Sequence, residues 1–153
     1  MKLALALFLI LFASIASTAQ RPIPRLIDEF GNVPCDDWLG RLDLFGAELR
    51  NNPKSTGLIV LYEGKYFNYQ YNRLVLPIFG DVHIRANEIR NHFARRGFPA
   101  NLSITFVTGG FRDDHLLELW LLPPEADFPK PKPTRESIAY RSGKASSIFP
   151  SCP

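Results

Sequence analysis

Arg85 is the residue that the sequence places best for binding chemistry. It stands just before Ala86 at the opening of an apolar stripe, in the run Ile84–Ile104 (IRANEIRNHFARRGFPANLSI). A planar guanidinium in the first turn of a helix offers fixed donors to an anionic group. The same stretch also reads as a plain amphipathic helix feeding a strand, its arginines in water, and both readings stand at this point. Other chemistries find less support. His83 and His92 are nine positions apart, about 180° around a helix, so they face opposite ways. With His115 they give no zinc-ligand spacing. Asp113-Asp114-His115 has donor types that suit a calcium or anion site, but a charged hairpin tip carries the same residues. The chain has no Gly-x-Ser-x-Gly turn, no phosphate loop and no His-Glu-x-x-His helix. Cys35 sits at a helix start, where thiol pKa values fall, yet no histidine is placed by sequence to serve it. Catalysis would need a pocket that brings a histidine within hydrogen-bond reach of Cys35 or of a carboxylate. The chain is therefore expected to be non-catalytic, with no cofactor and no metal.

The elements that must position Arg85 follow from periodicity. Val82, Ala86, Ile89 and Phe93 recur at helical spacing after Asp81, which reads as a cap, and Gly97 with Pro99 ends the helix. An earlier helix opens at Pro34 with Asp36 and Asp37 in its first turn. It carries Trp38, Leu42, Phe45 and Leu49 on one face and stops at Asn51-Asn52-Pro53. Its Gly40 and Gly46 weaken it and suggest close packing on a sheet. Ile23–Phe30, Leu58–Tyr62, Asn101–Thr108 and His115–Leu122 read as strands, and the continuous run LIVLY as a central one covered on both faces. Glu63-Gly64 is expected to end that strand, and GGFRDD has the length of a loop joining an antiparallel hairpin. The segment Tyr66–Asn72, where aromatics alternate with amides, fits an edge strand or hairpin, or equally a long ordered loop. The order β-α-β-α-β-β with one-sided helices predicts an α+β two-layer sandwich, two helices on one face of a mixed sheet.

Gross features set the boundaries. Met1-Lys2, the apolar Leu3–Ile15 and the small residues Ser17-Thr18-Ala19 read as a signal peptide over 1–19, cut before Gln20. The rest is expected to be exported, periplasmic or secreted, with no integral membrane segment after cleavage. A domain over 20–122 and a Pro-rich basic tail over 123–153 follow. The tail holds Lys130, Lys132, Arg135, Arg141 and Lys144 against Glu125, Asp127 and Glu136, which leaves the domain itself neutral. No basic footprint for nucleic acid remains. Alternating PKPKP favours extended, solvated backbone, so the tail is expected to be disordered. Cys35 and Cys152 are the only cysteines. Paired, they would close a long loop and contribute roughly 4–5 kcal/mol; two independent thiols are the other reading.

This order and several stretches resemble the peptidoglycan-associating OmpA/MotB C-terminal domain family. LIDEFGNVPCDDWLGRLDLFGAEL looks like its first strand and helix, GLIVLY sits where its central strand runs, and IRANEIRNHFARRGFPANLSITFVTGG resembles its Arg-Ala helix and following strand. The resemblance covers Ile23–Leu122. It implies a module that binds peptidoglycan or another envelope component, with Arg85 matching the family arginine that holds a carboxylate. The family aspartate after the central strand is absent, and Glu63, one methylene longer, would stand in. The Gly-His-Thr-Asp, Asn-x-x-Leu-Ser and closing Asn-Arg-Arg patterns are also missing. Arg112, on a turn expected beside that cleft, completes the candidate ligand set. A second likeness, to small exported bacterial proteins, rests on Glu29–Cys35, Asn51–Pro53, Gly109–Arg112 and Glu118–Trp120, and carries no activity with it. A structural or protein-interaction domain that kept the fold and lost the ligand is the alternative function.

Overall fold

The chain runs β1 (Arg25–Phe30), α1 (Cys35–Asn51), β2 (Thr56–Asn68), β3 (Arg73–Val75), α2 (Asp81–Arg95), β4 (Ile104–Asp114) and β5 (Leu116–Leu122). These elements come from a computed structural model, which describes residues 21–69, 71–99 and 102–145. The fold is α+β, an open five-stranded sheet with two helices. Every strand pairing is antiparallel except β2 with β4. β2 lies at the centre. β5 borders one side and β1 lies beyond it, β4 borders the other, and β3 folds back on the last residues of β2 as a short hairpin.

Side-chain alternation sorts β2 and β5 between two faces. Ile59, Leu61, Leu117, Leu119 and Leu121 join Trp38, Leu42, Phe45 and Leu49 of α1 and Val82, Ala86, Ile89 and Phe93 of α2 in one core. Both expected helical stripes thus lie against the same sheet face. The helices also bond to each other: Asp43 accepts from His92 Nε2 at 2.8 Å and from Arg96 Nη2 at 2.9 Å. On the reverse face Leu58, Val60, Tyr62 and Leu122 form a second cluster with Val107, Leu116 and Trp120. The run LIVLY is accordingly buried on both sides.

Several expectations need correction. The central strand does not end at Glu63-Gly64; it continues to Asn68. Nor is GGFRDD a hairpin loop. It belongs to β4, which pairs with β2 in parallel as far as Lys65 opposite Asp114. β5 lies on the other side of β2, starting with Leu116 opposite Tyr62. The chain must therefore cross β2 within the Asp114–His115 link, and it does so at Gly64. A Cβ there would collide with the Asp114 carbonyl group and the His115 nitrogen. Asp81 is not the cap of α2 either. Gly80, at φ 93°, takes that place, and Asp81 turns back so that its carboxylate accepts from the Ile78 N–H at 2.7 Å. Gly46 packs closely, but against the Phe98 ring rather than the sheet.

The Pro-rich segment, expected to be disordered, is as far as Ala145 an extended strap bonded to the body. The Lys132 N–H donates to the Tyr62 hydroxyl at 2.9 Å, and those of Thr134 and Arg135 to the Phe111 carbonyl at 3.0 and 3.1 Å. The Arg141 N–H donates to the Pro77 carbonyl at 3.0 Å. Proline alternation keeps the backbone extended, and four of its N–H groups find acceptors on β4, Tyr62 and the loop before α2. Residues 1–20, with the expected signal peptide, and Cys152 lie outside the described residues. Cys35 is disulfide-bonded.

Two glycine substitutions test this architecture by thermal unfolding. Gly40→Ala should stabilise the protein by about 1 kcal/mol, because Gly40 is exposed and helical, and an added methyl group would have nothing within 4 Å. Gly64→Ala should destabilise it by roughly 3 kcal/mol, the upper range for overpacking, because rigid backbone blocks the added atom.

Candidate binding site

Arg85 owes its position to the loop that starts α2. Asp81 ties the loop nitrogen of Ile78, which fixes the first turn, and one turn later Arg85 shares the inward side with Val82, Ala86 and Ile89. Its residue exposure is 2 %. The arginine is therefore a core residue, not one in water. Burial pushes its pKa down to about 10, opposed by the charges of Asp81, Glu88 and Glu63 and by Tyr66, so it stays cationic at neutral pH. Nε and Nη1 have no hydrogen-bond partner among the described residues.

The structure brings Glu63 to Arg85. Glu63 is half-buried on β2 where that strand runs past the helix start, within electrostatic reach of the guanidinium. Its Oε2 accepts from the Tyr140 hydroxyl at 2.7 Å. Tyr66, buried on the continuation of β2, accepts at its hydroxyl from Arg141 Nη2 at 2.7 Å. Arg141 Nε also donates to the Leu76 carbonyl at 3.0 Å. The strap thus reaches the same corner that holds Arg85. Tyr140 has its pKa pushed up to about 12, by burial first and then by the Glu63 carboxylate it bonds.

His115 completes this corner as a buried ring rather than part of a charged hairpin tip. It directly follows the crossing at Gly64, is 5 % exposed, and neither ring nitrogen has a hydrogen-bond partner among the described residues. Burial, and next the charge of Arg85, push its pKa down to about 3; the backbone groups of Gly31 and Lys65 pull the other way too weakly to restore it. The ring is neutral at physiological pH and lies 6.3 Å from Tyr66, centroid to centroid. The one sequence signal is a polar residue opening the apolar run HLLELWLL. Nothing in the PKPKP region points to Tyr140 or Arg141.

Arg112, the third residue of the expected ligand set, lies on β4. It turns to Tyr62, with its guanidinium 4.4 Å from the ring centre, and lies 3.7 Å from Glu118 Oε1. Glu118, buried on β5, also accepts from the Tyr62 hydroxyl at 3.0 Å and from Trp120 Nε1 at 2.9 Å. This group sits beneath the strap on the face away from the helices, and Arg112 Nε is buried there with no hydrogen-bond partner among the described residues. Arg112 also borders an open cleft of about 440 Å3 with Asp113, Asp114 and His115.

His92 and Asp43 meet the geometric condition for a histidine beside a carboxylate, at 2.8 Å, but between two helices. Asp43 is shared with Arg96, and the imidazole packs edge-on against Trp38. Burial lowers the His92 pKa despite Asp43. His83 is exposed. Among the described residues no His, Cys, Asp and Glu group could hold a metal ion, and no helix is long and apolar enough to cross a membrane. The chain matches no family model, no curated protein and no solved structure.

The neutral histidines set a pH dependence. The folded-state pKa of His115, about 3, lies below the ordinary value of 6.5, so between these pH values the unfolded chain binds a proton the native state refuses. Stability should be flat above about pH 6.5 and fall as pH drops toward 4, with His92 adding in the same direction. Thermal melts at pH 7, 5.5 and 4 check this: the His115→Gln protein should lose less stability over that range than wild type. Parallel curves for the two proteins would contradict a buried, uncharged His115.

Proposed function

We propose that the protein is an exported, non-catalytic module that binds the cell envelope, gripping an anionic group of peptidoglycan or of another envelope component through Arg85. One observation carries this reading: a cationic side chain in the core keeps Nε and Nη1 without acceptors among the described residues. Desolvating a cation costs several kcal/mol, and each buried unmet donor about 1–3 kcal/mol more. A helix start that retains such a group, amid a stripe of well-packed apolar side chains, holds donors for something other than its own fold. Each of these N–H donors suits an anionic oxygen.

Glu63 supports the reading as the acidic complement, since it lies within electrostatic reach of Arg85. It would take the part of the aspartate found in the peptidoglycan-associating family that Ile23–Leu122 resembles. Two helices against one face of a small sheet also suit that family's two-layer architecture. The leader-like Met1–Ala19 supports export, to the periplasm or beyond. A structural or protein-interaction role is the second reading. What favours it is that Glu63 and Tyr66 already bond to the protein's own Tyr140 and Arg141.

Co-sedimentation with purified peptidoglycan sacculi tests the proposal. Wild type should pellet with sacculi, Arg85→Ala should lose at least tenfold in affinity, and Glu63→Gln should lose less. A wild-type protein that stays in solution, or binding indifferent to Arg85→Ala, overturns it. Stability supplies an independent check. Replacing a buried, poorly paired ion by an apolar side chain of similar length is neutral or stabilising when the ion serves function. Arg85→Met should therefore keep or raise the melting temperature while abolishing binding. A loss of about 3 kcal/mol, the cost of breaking a paired buried ion, would assign Arg85 to the fold instead.

A further inference from the structure

Beyond its anchors on β4, the strap meets the body again at the Arg85 corner. Between the Thr134–Arg135 anchor on Phe111 and the Arg141 anchor on Pro77, residues Glu136–Ala139 make no hydrogen bond among the described residues. Most of Pro131–Ala145 is exposed, whereas Tyr140 and Arg141 are partly buried. Those two side chains engage the groups that surround Arg85. The Tyr140 hydroxyl donates to Glu63 at 2.7 Å, and the Arg141 guanidinium to Tyr66 at 2.7 Å and to the Leu76 carbonyl at 3.0 Å. Glu63 and Tyr66 are both groups whose field acts on the Arg85 cation. On the rim, the Tyr140 ring packs edge-on against Phe79 at 5.6 Å, a side chain otherwise 80 % exposed.

A segment that lies on the surface, with a short unbonded stretch beside a few local bonds, opens without unfolding the sheet beneath it. Its contacts with the corner are polar and directional, so a ligand that reaches Arg85 and brings a donor for Glu63 competes with Tyr140 for that carboxylate. We propose that Pro133–Ala145 is a closing strap, with Tyr140 and Arg141 standing in for ligand groups, so that ligand entry and strap release are a single event. This rests on the reading of Arg85 as the ligand-gripping group. The closed state accounts for a cation that is fully covered although its donors are unmet. It also places regulation in the tail: any partner that pulls on residues beyond Arg141 favours the open form.

The test uses the full chain and soluble peptidoglycan fragments released from purified sacculi. The double variant Tyr140→Phe/Arg141→Ala should bind at least tenfold more tightly than wild type, and Tyr140→Phe alone severalfold. In wild type, amide exchange at Thr134, Arg135 and Arg141 should accelerate when fragments are added, while amides of β2 stay protected in every protein and report an intact fold. Equal affinity of wild type and double variant, or strap amides unprotected before any fragment is added, overturns the strap and leaves the Arg85 site standing. Absence of binding by wild type overturns the Arg85 reading, and the strap with it.

Discussion

A charge buried at the start of a helix governs this corner of the structure. Taking a guanidinium out of water costs several kcal/mol even after relaxation, and Arg85 recovers only part of that from its surroundings. Asp81, Glu88 and Glu63 lend negative potential, the last from a different element. Tyr66 and His115 border the same space, and the histidine remains neutral because burial, and then the Arg85 cation beside it, oppose its protonation. Each of these neighbours has a position set by backbone rather than by its own side chain. Asp81 is turned inward by the left-handed Gly80, Glu63 lies on the stretch of β2 that outlasts its apolar run, and His115 follows the crossing.

The crossing at Gly64 links fold to site. β4 and β5 can flank β2 only if the chain between them passes over it, and only a residue without a side chain lets Asp114 and His115 approach that closely. The passage delivers His115 to the helix end of the sheet and leaves the reverse face of β2 and β5 free of helices. That face is covered by the strap. Tyr62 and Glu118 give it a polar patch within an apolar cluster, and the Lys132 N–H docks on the Tyr62 hydroxyl. Arg112 lies over the Tyr62 ring there, near Glu118.

What the sequence discloses follows the range of the forces involved. Both helices and the double burial of Leu58–Tyr62 are legible because periodicity is a local record of one-sided or two-sided burial. That Glu63 acts on Arg85 electrostatically is a relation between a strand and a distant helix, which periodicity does not record. Gly64 looks like a strand terminator because a lone glycine reports permissiveness, not which backbone will lie above it. GGFRDD looks like a hairpin loop because local signals cannot tell a turn from a strand that pairs in parallel with a distant partner. The tail misleads for a related reason. Composition says that a Pro-rich segment cannot fold alone, but not that a finished sheet offers it acceptors at Phe111, Tyr62 and Pro77.

On this account the two unpaired donors of Arg85 await an acceptor outside the chain. Nuclear magnetic resonance of the arginine Nε–H group reads this directly, with the Arg85 signal assigned through its absence in Arg85→Met. As soluble peptidoglycan fragments are titrated in, the signal should move and its exchange with water should slow, in proportion to the bound fraction. An Arg85 signal that keeps its position and exchange rate while fragments bind elsewhere, or while nothing binds at all, would contradict the account.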